Sequence, residues 1–310
     1  MPKVSVILPA YNGEKFIAAA LDSVLGQAYT DYEIIVVDDG SKDRTADILS
    51  RYTGKVKIIS QENGGIAKAR NTAIENSEGK YLAFLDQDDT WLPDKLALQV
   101  ALMESDSSLG LVYTDVYITN DKGAELLSFK LRKPHRGIAA EELFLNNFIA
   151  TSSVMTKKEC FEKVGLFDQS LSPCLDYDRW LNIAALYKID YVDKPLARFR
   201  DHISTFRKNE TVTAEKIVAT LRRFIDNHPD IKRAMGMKAS RVVAYYSINL
   251  GNKYLARGDF KKAFSAFRAA LETGEPIGAF FYIVFSILRE SAKNFLRLIK
   301  SKITKFARKA

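Results

Sequence analysis

Val4-Ser5-Val6-Ile7-Leu8-Pro9-Ala10-Tyr11-Asn12 decides how the rest of the chain is read. Val4–Leu8 is a short, almost continuous apolar run without the alternation of a half-exposed strand. It is closed by Pro9 and followed by polar residues. That pattern predicts a strand buried on both faces, as in a parallel sheet. Ile34–Val37, Val56–Ile59 and Tyr81–Leu85 repeat it. Between these runs the apolar residues take helical spacing: Phe16, Ile17, Ala20, Leu21, Val24 and Leu25, then Ile66, Ala69, Ala73 and Ile74. Alternating strands and helices predict an open α/β sheet, mostly parallel. In such sheets ligands sit at the carboxyl ends of the strands. Four polar or glycine-rich clusters occupy those places: Pro9–Asn12, Asp38-Asp39-Gly40-Ser41, Gln61-Glu62-Asn63-Gly64-Gly65 and Asp86-Gln87-Asp88-Asp89.

Working outward, the 310 residues are 47% hydrophobic and 27% charged, a globular composition that excludes collagen-like and mostly disordered chains. Cys160 and Cys174 are too few for a disulfide framework or a four-cysteine zinc site, so a reducing, cytoplasmic setting is the expectation. The net charge of +8 is uneven. Residues 291–310 hold Lys293, Arg297, Lys300, Lys302, Lys305, Arg308 and Lys309 and no acid, which is +7, leaving +1 for residues 1–290. The body therefore lacks the basic footprint of a nucleic-acid binder, and no nucleic acid is expected as a partner. The first apolar run is too short for a secretory signal, and the uncharged stretch Pro276–Leu288 is too short to span a bilayer.

Asp86 and Asp88, one residue apart beyond a strand, present the hard oxygen ligands that suit Mg2+ or Mn2+ shared with substrate phosphates. A solvated turn would use the same residues. Asp39 reads either as part of a strand-to-helix turn or as a carboxylate for a base or ribose. The first strand lacks a following G-x-G-x-x-G, which argues against a dinucleotide site.

Taken together, Val4–Asn12, Val36-Val-Asp-Asp-Gly-Ser41, Glu62-Asn-Gly-Gly-Ile-Ala-Lys-Ala-Arg-Asn71 and Leu85-Asp-Gln-Asp-Asp89 resemble the ordered motifs of family 2 glycosyltransferases. The resemblance extends through Val164-Gly-Leu-Phe-Asp168 and Asp176-Tyr-Asp-Arg-Trp-Leu181, over about residues 3–205. It implies a GT-A, Rossmann-like domain that binds a nucleotide-diphosphate sugar, with uridine expected, and an inverting transfer. By motif match, Pro9, Tyr11, Asp39 and Arg70 would hold base and ribose. Asp86 would lie near ribose and metal, Asp88 would ligate Mn2+ or Mg2+, and Asp89 would orient them. The base position falls on Asp176, preceded by Leu175 where the family has Glu. Asp178 is its nearest competitor, and Arg179-Trp180 is an accident of that helix. His202 resembles a loop residue that would meet the diphosphate or the metal. The expected acceptor is a glycan or lipid-linked hydroxyl in cell-surface polysaccharide biosynthesis. A nucleotidyltransferase would want a Gly- and basic-rich loop after the first strand, which Pro9–Asn12 is not. A non-catalytic sugar-nucleotide-binding or helical scaffold protein is the alternative, and Leu175 is its support.

The domain organisation is read as 1–210 for the transferase domain, 211–290 for a helical region and 291–310 for a basic amphipathic helix. Leu250, Gly251, Tyr254, Gly258, Ala263, Phe267 and Ala270 have the spacing of one tetratricopeptide repeat, or of a plain helical hairpin. In the tail, Ala292, Phe295, Leu296, Ile299, Ile303, Phe306 and Ala307 fall on one stripe, with basic residues around it. That pattern fits either a docked helix or a helix lying on an anionic membrane surface, at the inner face of the cell membrane.

Overall fold

The computed structural model describes residues 1–120, 125–129, 134–200, 210–273 and 283–284. His202, most of Pro276–Leu288 and the tail 291–310 lie outside them. The chain divides into two units, Met1–Lys208 and Asn209–Ala310.

The first unit opens with β1 (Val4–Ala10), α1 (Ile17–Leu25), β2 (Tyr32–Asp38), α2 (Thr45–Ser50), β3 (Lys57–Ser60), α3 (Ile66–Glu75) and β4 (Tyr81–Phe84). Every residue of β1 is buried, Ser5 included, as its nearly continuous apolar run predicts. It runs parallel to β2 on one side, Val4 opposite Tyr32, and to β4 on the other, Val4 opposite Tyr81. Successive side chains on a strand point to opposite faces. Val4, Val6, Leu8 and Ala10 join one apolar cluster with Ile17, Leu21 and Val24 of α1.

The second half of the unit adds β5 (Thr90–Trp91), α4 (Lys95–Ser105), β6 (Leu109–Thr119), β7 (Glu125–Phe129), α5 (Ala140–Leu145), β8 (Met155–Lys157), α6 (Lys158–Val164), α7 (Leu175–Leu186) and β9 (Lys188–Arg200). The nine strands form one mixed sheet in the order β3-β2-β1-β4-β8-β6-β9-β5, with β7 on β6. The expected parallel sheet comprises β3-β2-β1-β4. Short β8 is antiparallel to both its neighbours and joins this set to β6, which runs parallel to β9. Phe84 on β4 meets Phe161, Phe167 and Trp180 at ring separations of 5.8, 5.8 and 5.3 Å, which packs α6 and α7 against the sheet. Aromatic pairs of this kind are worth about 1 kcal/mol beyond their buried area. The Arg179-Trp180 pair is therefore part of the framework: Trp180 is buried in this cluster, and Arg179 donates to the carbonyls of Val164 and Gly165.

The second unit, taken by itself, holds α8 (Glu210–Asn227), α9 (Pro229–Met235), α10 (Met237–Ala256) and α11 (Phe260–Leu271). The seven residues with repeat-like spacing build the α10–α11 hairpin. A Cβ on Gly251 would lie 2.3 Å from the Phe267 ring, so only glycine lets the ring seat there. Ala244, Ile248, Ala263 and Ala270 complete that contact. Among the described residues no helix is long and apolar enough to cross a membrane.

Candidate active site

The site grows from the turns after β1, β2 and β4. Asn12 takes a left-handed φ of 49°, a conformation that Asn tolerates better than most residues. Its backbone N–H donates to Ser41 Oγ at 3.0 Å, and its Oδ1 accepts from Lys42 N at 2.8 Å. The β1 and β2 turns are thus stitched together. Gln87, the middle residue of the Asp86-Gln87-Asp88 motif, clamps the β4 turn onto them. Its Oε1 accepts from Tyr11 N at 2.9 Å, and its Nε2 donates to Tyr11 O at 3.0 Å. A Cβ on Gly13 would fall 2.3 Å from that Oε1.

Asp39 is buried and organises the glycine turn. Its Oδ1 accepts from Gln61 Nε2 at 2.7 Å and Gly64 N at 2.9 Å, and its Oδ2 from Gly65 N at 2.7 Å. Gly40 has φ +74°, and a Cβ there would meet Asn63 N at 2.9 Å, so the two turns can touch only through a glycine.

The acidic cluster divides into three environments. Asp86 pairs with Arg70 at 2.5 Å. Asp88 gives its backbone carbonyl to Arg200 Nε at 3.0 Å. Asp89 is buried and accepts from Ser152 Oγ at 2.5 Å and Arg200 N at 2.8 Å. Burial, and next the charges of Asp88 and Asp86, push the Asp89 carboxyl well above the usual carboxylate range, while Ser152 and Arg200 donate against that rise. Asp89 ties the motif to the end of β9.

Asp176 stands in the first turn of α7. Its Oδ2 accepts from Thr151 Oγ1 and its Oδ1 from Tyr177 N, both at 2.8 Å. Asp178 is buried against Arg179 and lines neither of the cavities described next.

Two cavities meet at the acids. One, about 420 Å³, is lined by Pro9, Tyr11, Asp39, Asn63, Asp86 and Asp88 among others. The other, about 590 Å³, is lined by Asp86, Asp88, Thr151, Asp176 and Arg200, with an apolar wall that includes Phe148 and Phe199. Of the residues singled out from the sequence, Pro9, Tyr11, Asp39, Asp86 and Asp88 come together at the first cavity, and Asp176 joins Asp86 and Asp88 at the second.

Arg70 is placed differently from expectation. It is 3% exposed, lines neither cavity, and lies with its guanidinium carbon 5.5 Å from the centre of the Phe167 ring. The helical register of α3 turns it inward, where its link to the cavities is the ion pair with Asp86. Gln87, Thr151, Ser152 and Arg200 were not singled out from the sequence. Gln87 carries a signal in its place between two carboxylates. Thr151 and Ser152 carry none, because their partners lie 25 and 66 residues away.

Among the described residues no group of three or more His, Cys, Asp or Glu is gathered to hold an ion. Asp86, held by Arg70, and Asp88 instead place two acids on the wall that the two cavities share. That donor set fits a hard cation which takes its remaining ligands from phosphate and water.

Residues 5–165 match the family described as Glycosyl transferase family 2. An uncharacterized glycosyltransferase of Rickettsia prowazekii is 35% identical over 208 residues, covering 65% of this chain and 64% of the relative. The chain thus spans just under two thirds of that relative's length. TuaG of Bacillus subtilis, a glycosyltransferase named for teichuronic acid biosynthesis, is 30% identical over 259 residues, 82% of this chain and 98% of TuaG. Two solved structures share the fold at 19% identity. The mannosyltransferase PcManGT from Pyrobaculum calidifontis, in complex with GDP-Man and Mn2+, has a TM-score of 0.59 over 95% of this chain and 81% of its own. S. aureus TarS 1-349 in complex with UDP has a TM-score of 0.54 over 85% of this chain and 90% of its own. The motifs after β1, β2, β3 and β4, their convergence on two cavities and this match over residues 5–165 agree: the chain belongs to glycosyl transferase family 2.

Proposed function

We propose that the chain transfers a sugar from a nucleoside-diphosphate sugar, with uridine as the base, to a hydroxyl of a glycan or lipid-linked acceptor, with inversion. The observation that carries this reading is the pair of cavities that share Asp86 and Asp88 while only the larger contains Asp176. The smaller cavity takes the nucleotide against Pro9, Tyr11 and Asp39, and the larger takes the acceptor. The UDP complex of TarS and the GDP-Man and Mn2+ complex of PcManGT support such a donor on this fold. TuaG supports a place in surface polysaccharide biosynthesis.

Asp88, with Asp86, would hold Mn2+ or Mg2+, which when bound offsets the charge developing on the leaving diphosphate. Arg70 neutralises and orients Asp86 from behind. Asp176 accepts the proton of the acceptor hydroxyl as that oxygen attacks the anomeric carbon. The new C–O bond forms as the bond to the diphosphate breaks, from opposite faces, so the anomeric configuration inverts. Leu175, buried beside Asp176, leaves this carboxylate as the sole acid of the usual pair. His202 would approach the diphosphate, and the tail 291–310 would hold the chain on an anionic cytoplasmic membrane surface.

A thermal-shift screen of nucleotide sugars with and without Mn2+ tests the donor. A Mn2+-dependent stabilisation by a UDP-sugar is expected, and no stabilisation by any nucleotide sugar contradicts the reading. Removing 291–310 should release the chain from phosphatidylserine-containing vesicles, and unchanged binding contradicts the membrane role.

A further inference from the structure

One 3-10 turn, Thr151–Ser153, touches both halves of the site. Its first residue reaches Asp176 through the Thr151 hydroxyl at 2.8 Å. Its second reaches the acidic motif: Ser152 Oγ accepts from Asp86 N at 3.1 Å and donates to Asp89 Oδ2 at 2.5 Å. The turn is anchored from behind. Trp91 Nε1 donates to Ser152 O at 2.7 Å, and Gln99 Nε2 donates to Ser153 O at 2.8 Å. Gln99 in turn accepts from the fully buried Lys95 Nζ at 2.7 Å. Thr151, Ser152 and Ser153 are 7%, 1% and 0% exposed. Polar bonds in so dry a place are costly to leave unmade and hold their members in one arrangement.

We propose that Thr151 is the positioning residue of Asp176, and that the Thr151–Ser152 turn fixes this carboxylate relative to the Asp86–Asp88 pair. The inference rests on the reading of Asp176 as base. An aspartate side chain in a helix's first turn has several rotamers. Here each carboxylate oxygen is held by one donor, Tyr177 N on Oδ1 and the Thr151 hydroxyl on Oδ2. A carboxylate oxygen can accept from more than one donor, so these two bonds leave acceptor capacity for the acceptor hydroxyl. The same turn that sets Asp176 also holds the backbone of Asp86. Distance between base and donor site is thus transmitted through two adjacent residues rather than across the sheet.

The test compares the full-length wild type with Thr151→Val, Thr151→Ser and Asp176→Asn. Val keeps the branched shape and removes the hydroxyl; Ser keeps the hydroxyl. The probes are UDP-glucose, UDP-N-acetylglucosamine and GDP-mannose with Mn2+. Hydrolysis of whichever stabilises the wild type most is then followed, with water as acceptor so that glycan contacts do not enter. Thr151→Val should lower kcat by on the order of tenfold to a hundredfold, with the donor's KM and thermal shift unchanged. Thr151→Ser should recover most of the rate. Wild-type kcat in Thr151→Val overturns the proposal. So does a loss of donor binding in step with kcat, or a Ser variant as slow as Val. If Thr151→Val does not fold, Thr151→Ala against Thr151→Ser carries the same comparison. A slow Asp176→Asn beside a normal Thr151→Val overturns only the positioning role, whereas Asp176→Asn at the normal rate overturns the base reading itself.

Discussion

The two cavities that share Asp86 and Asp88 are built by different means. The smaller is made almost wholly of turns that follow parallel strands directly, each turn locked to the next by short hydrogen bonds such as Gln87 to Tyr11 and Asp39 to Gly65. The larger is assembled from β6, the segment 146–151, the start of α7 and the end of β9, pieces far apart in sequence. Its apolar wall includes Phe148 and Phe199, whereas the smaller sets Pro9, Tyr11 and Ile66 beside the polar Asp39, Asn63 and Gln87. The first is suited to a fixed, charged ligand, since its polar groups are already oriented. The second presents an apolar face with a few polar groups, which suits the C–H face of a sugar ring. On the proposed reading, a donor side of interlocked turns beside a differently built acceptor side would let one vary without disturbing the other.

The largest effect expected on this division is from Asp176→Asn. Rates of transfer to the acceptor should fall by on the order of 10²- to 10⁴-fold, the range of a positioned general base, while donor-induced thermal stabilisation persists. Loss of stabilisation would place Asp176 on the donor side and break the comparison. Next comes Asp88→Ala, for which calorimetry should show Mn2+-dependent donor affinity reduced by on the order of 10- to 100-fold. Here both cavities lose a wall, so unlike Asp176→Asn the defect appears in binding.

The difference between the cavities also explains what could be read in advance. The strands β1, β2 and β4 were legible because both faces of the sheet are covered there, so burial shows as nearly continuous apolar runs; β3, at the sheet edge and half-exposed, showed only through Ile58 and Ile59. The turns after them were legible because a strand end fixes where the next residues point. Asp176 was legible only by resemblance, since nothing in its own neighbourhood separates it from Asp178. The structure separates them through burial: Asp178 lies against Arg179, and Asp176 opens on the cavity. Arg70 shows the limit from the other side. Its place in a motif pointed to the nucleotide, but the register of α3 buries it behind Asp86. Thr151 and Ser152 were silent because their contacts exist only once β8 brings the turn beside β4.

Smaller changes sharpen the comparison. Gln87→Ala removes the clamp on Tyr11 and should raise the donor's KM by about tenfold, two hydrogen bonds at about 1 kcal/mol each being offset in part by water. Steady-state kinetics should show kcat and the acceptor's KM nearly unchanged. Phe148→Ala should do the reverse, raising the acceptor's KM by a few-fold through lost apolar contact and leaving donor binding alone. If both substitutions moved the same constant, the two cavities would not be separate subsites.

The central claim is that the nucleotide lies on the Pro9–Asp39 side of the acids and the acceptor on the Asp176 side. A crystal structure with UDP and Mn2+ bound tests it most directly. The account predicts the nucleoside between Pro9, Tyr11 and Asp39, with the diphosphate reaching Asp88 and the Asp176 cavity still open. A nucleoside seated against Phe148 and Asp176 instead would contradict it.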